Sequence, residues 1–295
     1  MPIVIGDFCK PKTISLCSGF GLLDYAARDA GFDIAVQCES EPYQRNLLSL
    51  AFPNAKQHSD IFALDKKWME DEGIDTTETT FLGGLCCKPF SNMGGAKGEN
   101  SEHYMVYKIV FLVRTCRPRF VLVENVYNFL SHEHGFDRLR SLMARENYKA
   151  WPLVLPASAF GAPHERYRTF VLFTRDSFVL SNPPSYGWQL RHSTPPTGLL
   201  SSIPGIWNGR SISESGIPRM AYGHPTVDDV KRLECAGNAV VYDVAYYVCT
   251  HVNTIHDYFY GEGTPWAALS VLVLELFQNH IAFIKFYKDI GYLRP

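Results

Sequence analysis

Apolar positions along the first 173 residues follow two alternating patterns. Short apolar runs predict strands at 14–17, 34–38, 80–82, 120–123 and 167–173. Between them, apolar residues recur at helical spacing over 22–30, 42–51, 104–114 and 136–145, as in helices with one buried face. Strand–helix alternation predicts an α/β fold with a parallel sheet covered by helices on both faces. The pattern breaks over 176–231, a stretch rich in Pro, Gly and Ser. A small irregular lobe or long loops are expected there. Helical spacing resumes over 238–260. Further on, Trp266, Leu269, Leu272, Val273, Leu276, Phe277, Ile281, Ile284 and Phe286 predict an amphipathic helix. That helix is expected to pack on the domain, with self-association as the alternative.

Composition narrows the picture only a little. The chain has 295 residues, 46% hydrophobic and 20% charged, with a net charge of −2. These are ordinary values for a globular protein. No global field draws it to nucleic acid, so such contacts must come from a local cluster. The eight cysteines include no C-x-x-C pair. They read as reduced thiols of a cytoplasmic enzyme, without a metal site. No signal peptide is expected. The apolar run from Trp266 to Phe277 is broken by Glu275 and is too short to cross a membrane.

Candidate chemistry gathers where strands end. The stretch Gly83-Gly84-Leu85-Cys86-Cys87-Lys88-Pro89-Phe90-Ser91 places a thiol at a glycine-flanked turn after a short strand. Phe120-Val121-Leu122-Val123-Glu124-Asn125-Val126 is a strand that ends in a carboxylate. Successive βα units then bring a nucleophile and an acid to one sheet edge, where open α/β folds bind ligands. The first βα turn, Ser18-Gly19-Phe20-Gly21, lets backbone amides approach a ligand beside a helix N-terminus. Glu39 and Ser40 follow the second strand, where a ribose-binding acid belongs. Asp60 and Ile61 lie near the end of a third, with Asp60 suited to an exocyclic amine or, alternatively, to capping a helix.

Together these residues resemble the DNA cytosine-5 methyltransferases, over nearly the whole chain to about His256 and in the family's motif order. Cys87 falls on the nucleophile of the G-G-P-P-C-Q-P-F-S motif, and Glu124-Asn125-Val126 on the E-N-V motif. His164-Glu165-Arg166-Tyr167-Arg168 falls on Q-x-R-x-R, and Gly237-Asn238-Ala239-Val240 on the motif before the last helix. The resemblance implies a Rossmann-like methyltransferase fold with a mixed, mostly parallel sheet and a small target-recognition lobe. It implies S-adenosylmethionine (SAM) as cofactor and double-stranded DNA with a flipped-out cytosine as substrate.

It also implies residue roles. Cys87 would add to carbon 6 of the ring, making carbon 5 nucleophilic. Glu124 would contact N3 and the exocyclic amine, and its site should raise its pKa. Arg168 would bind the base's O2, with Arg166 supporting the same network, and Asn125 would order the turn holding Glu124. Ser18, Gly19, Phe20, Gly21, Glu39, Ser40, Asp60, Ile61, Gly84, Asn238, Ala239 and Val240 would surround SAM. Lys88, Ser91 and Asn92 would face DNA. Glycines 94, 95 and 98 fit a segment that closes over the flipped base.

Several positions depart from the family pattern. Cys86 replaces proline, Lys88 and His164 replace glutamines, and Cys17 replaces an aromatic that packs on adenine. Lys88 would lower the Cys87 pKa or pair with a phosphate. The stretch 101–104 lacks the next motif's arginine. Only about sixty residues separate Phe173 from Gly237. A specific DNA interface takes roughly 1,000–2,500 Å² of protein surface, so a short recognition sequence or relaxed specificity is expected. The organisation expected is a catalytic domain of residues 1–175 plus 235–260, a recognition lobe of 176–234 and a helical extension of 261–295. Action on RNA, transfer of another group from a SAM derivative, and a catalytically silent nucleic-acid-binding paralogue are the alternatives. A bacterial or bacteriophage origin fits the small lobe.

Overall fold

The structure is a computed structural model that describes residues 11–85, 89–90, 98–101, 103–160, 166–175 and 241–260. Seven strands form one sheet: β1 (Lys12–Leu16), β2 (Asp33–Cys38), β3 (Lys56–His58), β4 (Thr80–Gly84), β5 (Phe120–Val126), β6 (Lys149–Pro156) and β7 (Tyr167–Thr174). Among the described residues, six α-helices accompany them: α1 (Leu22–Asp29), α2 (Pro42–Ala51), α3 (Lys66–Asp71), α4 (Val106–Cys116), α5 (Phe136–Arg145) and α6 (Tyr242–Tyr260). The strand order is β3-β2-β1-β4-β5-β7-β6. The first five strands run parallel, and β7 lies antiparallel between β5 and β6.

Two apolar layers hold the sheet. On one face Ile14, Leu16, Phe81, Val121, Val123 and Phe173 pack against Met69, Ile109, Val113, Leu139 and Met143 of α3, α4 and α5. On the other, Ile34, Leu82, Leu122, Phe170 and Leu172 meet Leu23 and Ala27 of α1 and Val248, Val252 and Ile255 of α6. Alternate residues of each central strand therefore serve opposite layers, as the period of a strand requires. Each fully buried Phe or Leu contributes about 1.5–3 kcal/mol relative to exposure. Helix α6 also reaches α1 through Tyr242, whose hydroxyl donates to Asp29 Oδ2 at 2.6 Å.

The chain leaves β1 toward β2 on one side of the sheet and later returns to place β4 on its other side. The adjacent C-terminal ends of β1 and β4 therefore form the switch-point crevice of an open α/β sheet.

The structure corrects some expected boundaries. Strand β1 stops at Leu16, because Cys17 takes a left-handed φ of 57° and opens the turn. Helix α4 starts at Val106, not 104, because Tyr104 belongs to a turn, its N–H donating to the Ser101 carbonyl at 3.0 Å. Strand β7 runs one residue beyond the expected end, to Thr174, and Arg166 lies just before it. Two elements, α3 and β6, are additions, and β3 supplies the bounds of the strand expected to end near Asp60. Strand β3 has no apolar residue, α3 has six residues, and β6 contains Pro152 and Pro156. An edge strand tolerates such prolines because it has an unpaired side. The expected lobe over 176–234 and the extension over 261–295 lie outside the described residues.

Candidate active site

The turn after β1 is built on backbone that glycine favours. Gly19 and Gly21 have φ of 57° and 74°. A Cβ on Gly21 would lie 2.7 Å from Leu48 Cδ2, whereas one on Gly19 would meet nothing within 4 Å. Gly21 is thus packed against α2, while Gly19 borders open space that a ligand can enter. The Gly21 amide donates to the Ser18 carbonyl at 2.8 Å, and Ser18's own amide donates to the Cys38 carbonyl at 3.1 Å.

Glu39 ties this turn to the next. Its Oε2 accepts from the Gly19 amide at 2.7 Å and its Oε1 from the Glu41 amide at 2.9 Å. The hydroxyl of exposed Ser40 donates to Oε1 at 3.4 Å. Arg45 donates to the Glu39 carbonyl at 2.8 Å and also to that of Ser40. Phe20 is half-buried, edge-on to Tyr43. Asp60 is exposed and its Oδ1 accepts from the Phe62 amide at 2.8 Å, the local turn bond that competes with a ligand role. Ile61 is buried in the α3 and α4 layer. Half-exposed Cys17 directs its thiol to Met105 Sδ at 3.2 Å.

The acid lies across the crevice. Gly84 pairs with Glu124 in register, and a Cβ on Gly84 would be 4.0 Å from Glu124 Oε2. Arg168 projects from β7, opposite Val126, and its Nε lies 3.1 Å from Glu124 Oε1. Both side chains are nearly buried, at 12% and 11% exposure. Burial pushes the Glu124 carboxyl up to about 7, against the opposing pull of Arg168 and then Arg166. The acid is therefore balanced between its two protonation states near neutral pH.

Asn125 does more than order its own turn. Its Oδ1 accepts from the Val126 amide at 2.8 Å, and its Nδ2 donates to the Leu85 carbonyl at 3.3 Å. It thereby fastens the end of β4 to the acid's strand. Downstream, Phe90 is buried against Phe129, His132 and Tyr104, with centroids 5.0, 5.5 and 6.0 Å away. Cys87 and Lys88 themselves, with Ser91, Asn92, His164, Asn238, Ala239 and Val240, lie outside the described residues.

Sequence reasoning passed over one further group. Asp24 is fully buried. Its Oδ1 accepts from Ser15 Oγ at 2.6 Å and its Oδ2 from Gln37 Nε2 at 2.5 Å. Ser18 Oγ donates to Ser15 Oγ at 2.9 Å, and Gln57 Nε2 to Gln37 Oε1 at 2.8 Å. An acid on the same helix face as buried Leu23 and Ala27 was the available signal.

A glycine turn at the switch point, a carboxylate joining two βα turns, and an acid–arginine pair one strand further on are arranged as expected for the methyltransferase class that the sequence resembles. The turn can admit a ligand, because it borders open space beside Gly19. Comparison with known proteins agrees. The profile of the C-5 cytosine-specific DNA methylases matches residues 11–206. The type II methyltransferase M.HhaI of Haemophilus parahaemolyticus is 28% identical over 174 residues, 58% of this chain and 51% of that protein. M.AgeI of Thalassovita gelatinovora is 30% identical over 182 residues, 59% of this chain and 42% of the other. A solved DNA modification methyltransferase encoded within an E. coli prophage superposes with a TM-score of 0.50 at 26% identity, covering 59% of this chain and 49% of that one. The chain belongs to the C-5 cytosine-specific DNA methylase family. It spans about half the length of the relatives it matches.

Proposed function

We propose that this chain transfers a methyl group from SAM to carbon 5 of a cytosine swung out of double-stranded DNA. The Glu124–Arg168 pair carries the reading. It sets an acid balanced near neutral pH against a fixed cation, at the strand end fastened to the segment that leads to Cys87.

The Ser18–Gly19–Phe20–Gly21 turn, Gly84, Glu39 and Ser40 bind the donor. Glu39 takes its ribose, Asp60 and Ile61 its adenine edge, and Asn238, Ala239 and Val240 border the site. When bound, the donor supplies an electrophilic methyl group on a sulfonium. Cys87 attacks as thiolate, forming a bond to carbon 6 of the base, and the ring's electrons shift toward N3 and carbon 5. Glu124 in its protonated form holds N3 and offsets the developing negative charge. Arg168 holds O2 of the base and, with Arg166, keeps Glu124 oriented. Carbon 5 takes the methyl group, and the bond from that methyl to sulfur breaks with its electron pair left on sulfur as a neutral thioether. Solvent water then takes the carbon 5 proton, and the electrons of that bond restore the ring double bond and expel the Cys87 thiolate. The charge of Lys88 favours that thiolate, and Ser91 and Asn92 contact DNA.

Residues 1–175 and 235–260 form the catalytic domain in this reading. Residues 176–234 form a small recognition lobe, and 261–295 a helical extension that packs on it or joins two copies. The packing of α6 on α1 supports the return of the chain to the catalytic domain. The relatives are bacterial, which supports action in the cytoplasm of a bacterium. Among the described residues no helix is long and apolar enough to cross a membrane.

Mass spectrometry of nucleosides from treated DNA and RNA tests the substrate. 5-Methylcytosine in DNA is expected. A product confined to RNA, another group at carbon 5, or no product at all contradicts the reading. Bisulfite sequencing of the methylated DNA then tests the short or relaxed target, which a fixed context of five or more base pairs would overturn.

A further inference from the structure

We propose that Asp24, acting through the hydroxyls of Ser15 and Ser18, is a positioning residue for the methyl donor, and that donor binding is coupled to the loss of a proton from its carboxyl. The inference rests on reading the turn after β1 as the donor site.

Asp24 is an expensive residue to keep where it is. It is fully buried in the first turn of α1, and among the described residues no cation pairs with it. A burial of this kind penalises the charged form strongly. The mechanism above makes no direct use of it. Its neighbours are nonetheless arranged around it from three strands. Ser15 comes from β1, Gln37 from β2, and Gln57 of β3 stands behind Gln37. The titratable groups that face it are Glu39 at the end of β2 and the Cys249 thiol on α6.

The bonds between side chains in this network point toward the carboxylate, while the Ser18 hydroxyl also lies 3.4 Å from the Ser15 carbonyl. Ser18 donates to Ser15, and Ser15 donates to Asp24; Gln57 donates to Gln37, and Gln37 to Asp24. An ionised carboxylate only accepts, whereas a protonated one has an O–H to donate. The charge state of Asp24 therefore sets the direction of the hydroxyl chain. With Asp24 ionised, the Ser18 proton is used inward and its oxygen is left to accept from a ligand. With Asp24 protonated, Ser15 can turn its proton toward Ser18, and the Ser18 proton then goes to the Ser15 carbonyl, 3.4 Å away, or outward. The Ser18 oxygen sits in the turn that carries Gly19. There an acceptor suits the ammonium of the donor's methionine portion, and an outward proton repels it.

Burial pushes the Asp24 carboxyl up to about 6, against Ser15, Gln37 and Ser18, and Glu39 adds to the rise. A bound ammonium would lower it again, so binding releases a proton and weakens as pH falls through 6.

Titration calorimetry of the full chain with SAM tests this, run from pH 5.5 to 7.5 in two buffers of different ionisation enthalpy. Wild type should release roughly half a proton near pH 5.5, and its Kd should weaken about threefold from pH 7.5 to 5.5, as a carboxyl shifting by about one pKa unit requires. Asp24→Asn fixes the chain in its protonated direction. It should bind about tenfold more weakly at pH 7.5 and release no proton through this group. Ser18→Ala keeps the carboxyl but cuts the chain, and should also lose the proton release; it decides the matter should Asp24→Asn fail to fold. Proton release that survives either substitution, or its absence in wild type, overturns the proposal while leaving the donor site intact. Failure of wild type to bind SAM overturns the donor-site reading and this one with it.

Discussion

Two buried carboxylates flank the crevice, and they are held in opposite ways. Glu124 faces Arg168, with Arg166 contributing at longer range, and its second neighbour is the strand leading to Cys87. Among the described residues, the donors around Asp24 are neutral, two hydroxyls and an amide, and Glu39 adds a like charge. Burial nonetheless raises both, to about 7 and about 6. Two arginines do not fully offset the cost of burying one acid, and three neutral donors do not offset it for the other. Each acid binds protons more tightly in the folded chain than in the unfolded one. The stability each supplies is therefore full below the unfolded value, 4.5 for Glu124 and 3.8 for Asp24, and is lost as pH rises through about 7 and about 6 respectively. Groups retained against stability in this way point to function. The cation side suits chemistry on a base, and the neutral side suits positioning of a ligand.

The sharpest break between the two sides should come from the nucleophile. Cys87→Ala should lower methyl transfer by at least ~10³-fold while leaving SAM affinity unchanged. Labelled-methyl incorporation beside calorimetry reads both, and an equal loss in binding would merge the two sides. Glu124→Gln should cost roughly 10²–10³-fold in rate and remove the fall in activity expected above about pH 7, where wild-type Glu124 loses its proton. A pH–rate profile that keeps that inflection assigns it to another group.

Removing the cation should separate the carboxylates further. In Arg168→Ala the Glu124 inflection should move to higher pH, because Arg168 is the larger of the two influences holding it down. The fold should lose roughly 3 kcal/mol at pH 8 and less at pH 5, where Glu124 takes up a proton. Denaturant melts at the two pH values measure this, and a loss independent of pH would show that charge is not the cause. Gly21→Ala, on the neutral side, should cost about 1–3 kcal/mol, given a φ of 74° and Leu48 in the way. Asn125→Ala should cost the least, about 1–2 kcal/mol, yet slow alkylation of Cys87 by iodoacetamide. Unchanged labelling would remove Asn125 from the nucleophile's support.

Much of this architecture was legible in the sequence. The central strands and α1, α2 and α5 follow directly from apolar runs and helical spacing. Strand β3 was expected only through its end near Asp60, because Lys56, Gln57 and His58 carry no apolar pattern and pair with β2 at the edge. Strand β6 hid behind its two prolines, which sequence rules read as breakers. At the site, Glu124 and Arg168 were legible by resemblance, and the expected rise in the Glu124 pKa is borne out. Asp24 was not, because its role depends on Ser15, Ser18 and Gln37, which meet only when β1, β2 and α1 assemble. Local spacing announces motifs carried on one segment; it is silent on polar networks closed across a sheet.

Covalent trapping tests the central claim most directly. A duplex carrying 5-fluorocytosine at the target has no carbon 5 proton to lose, so a Cys87–carbon 6 bond formed on it persists. With SAM present, a denaturing gel should show a protein–DNA adduct for wild type and none for Cys87→Ala. No adduct from a folded, SAM-binding wild type, or an adduct undiminished in Cys87→Ala, would contradict the account.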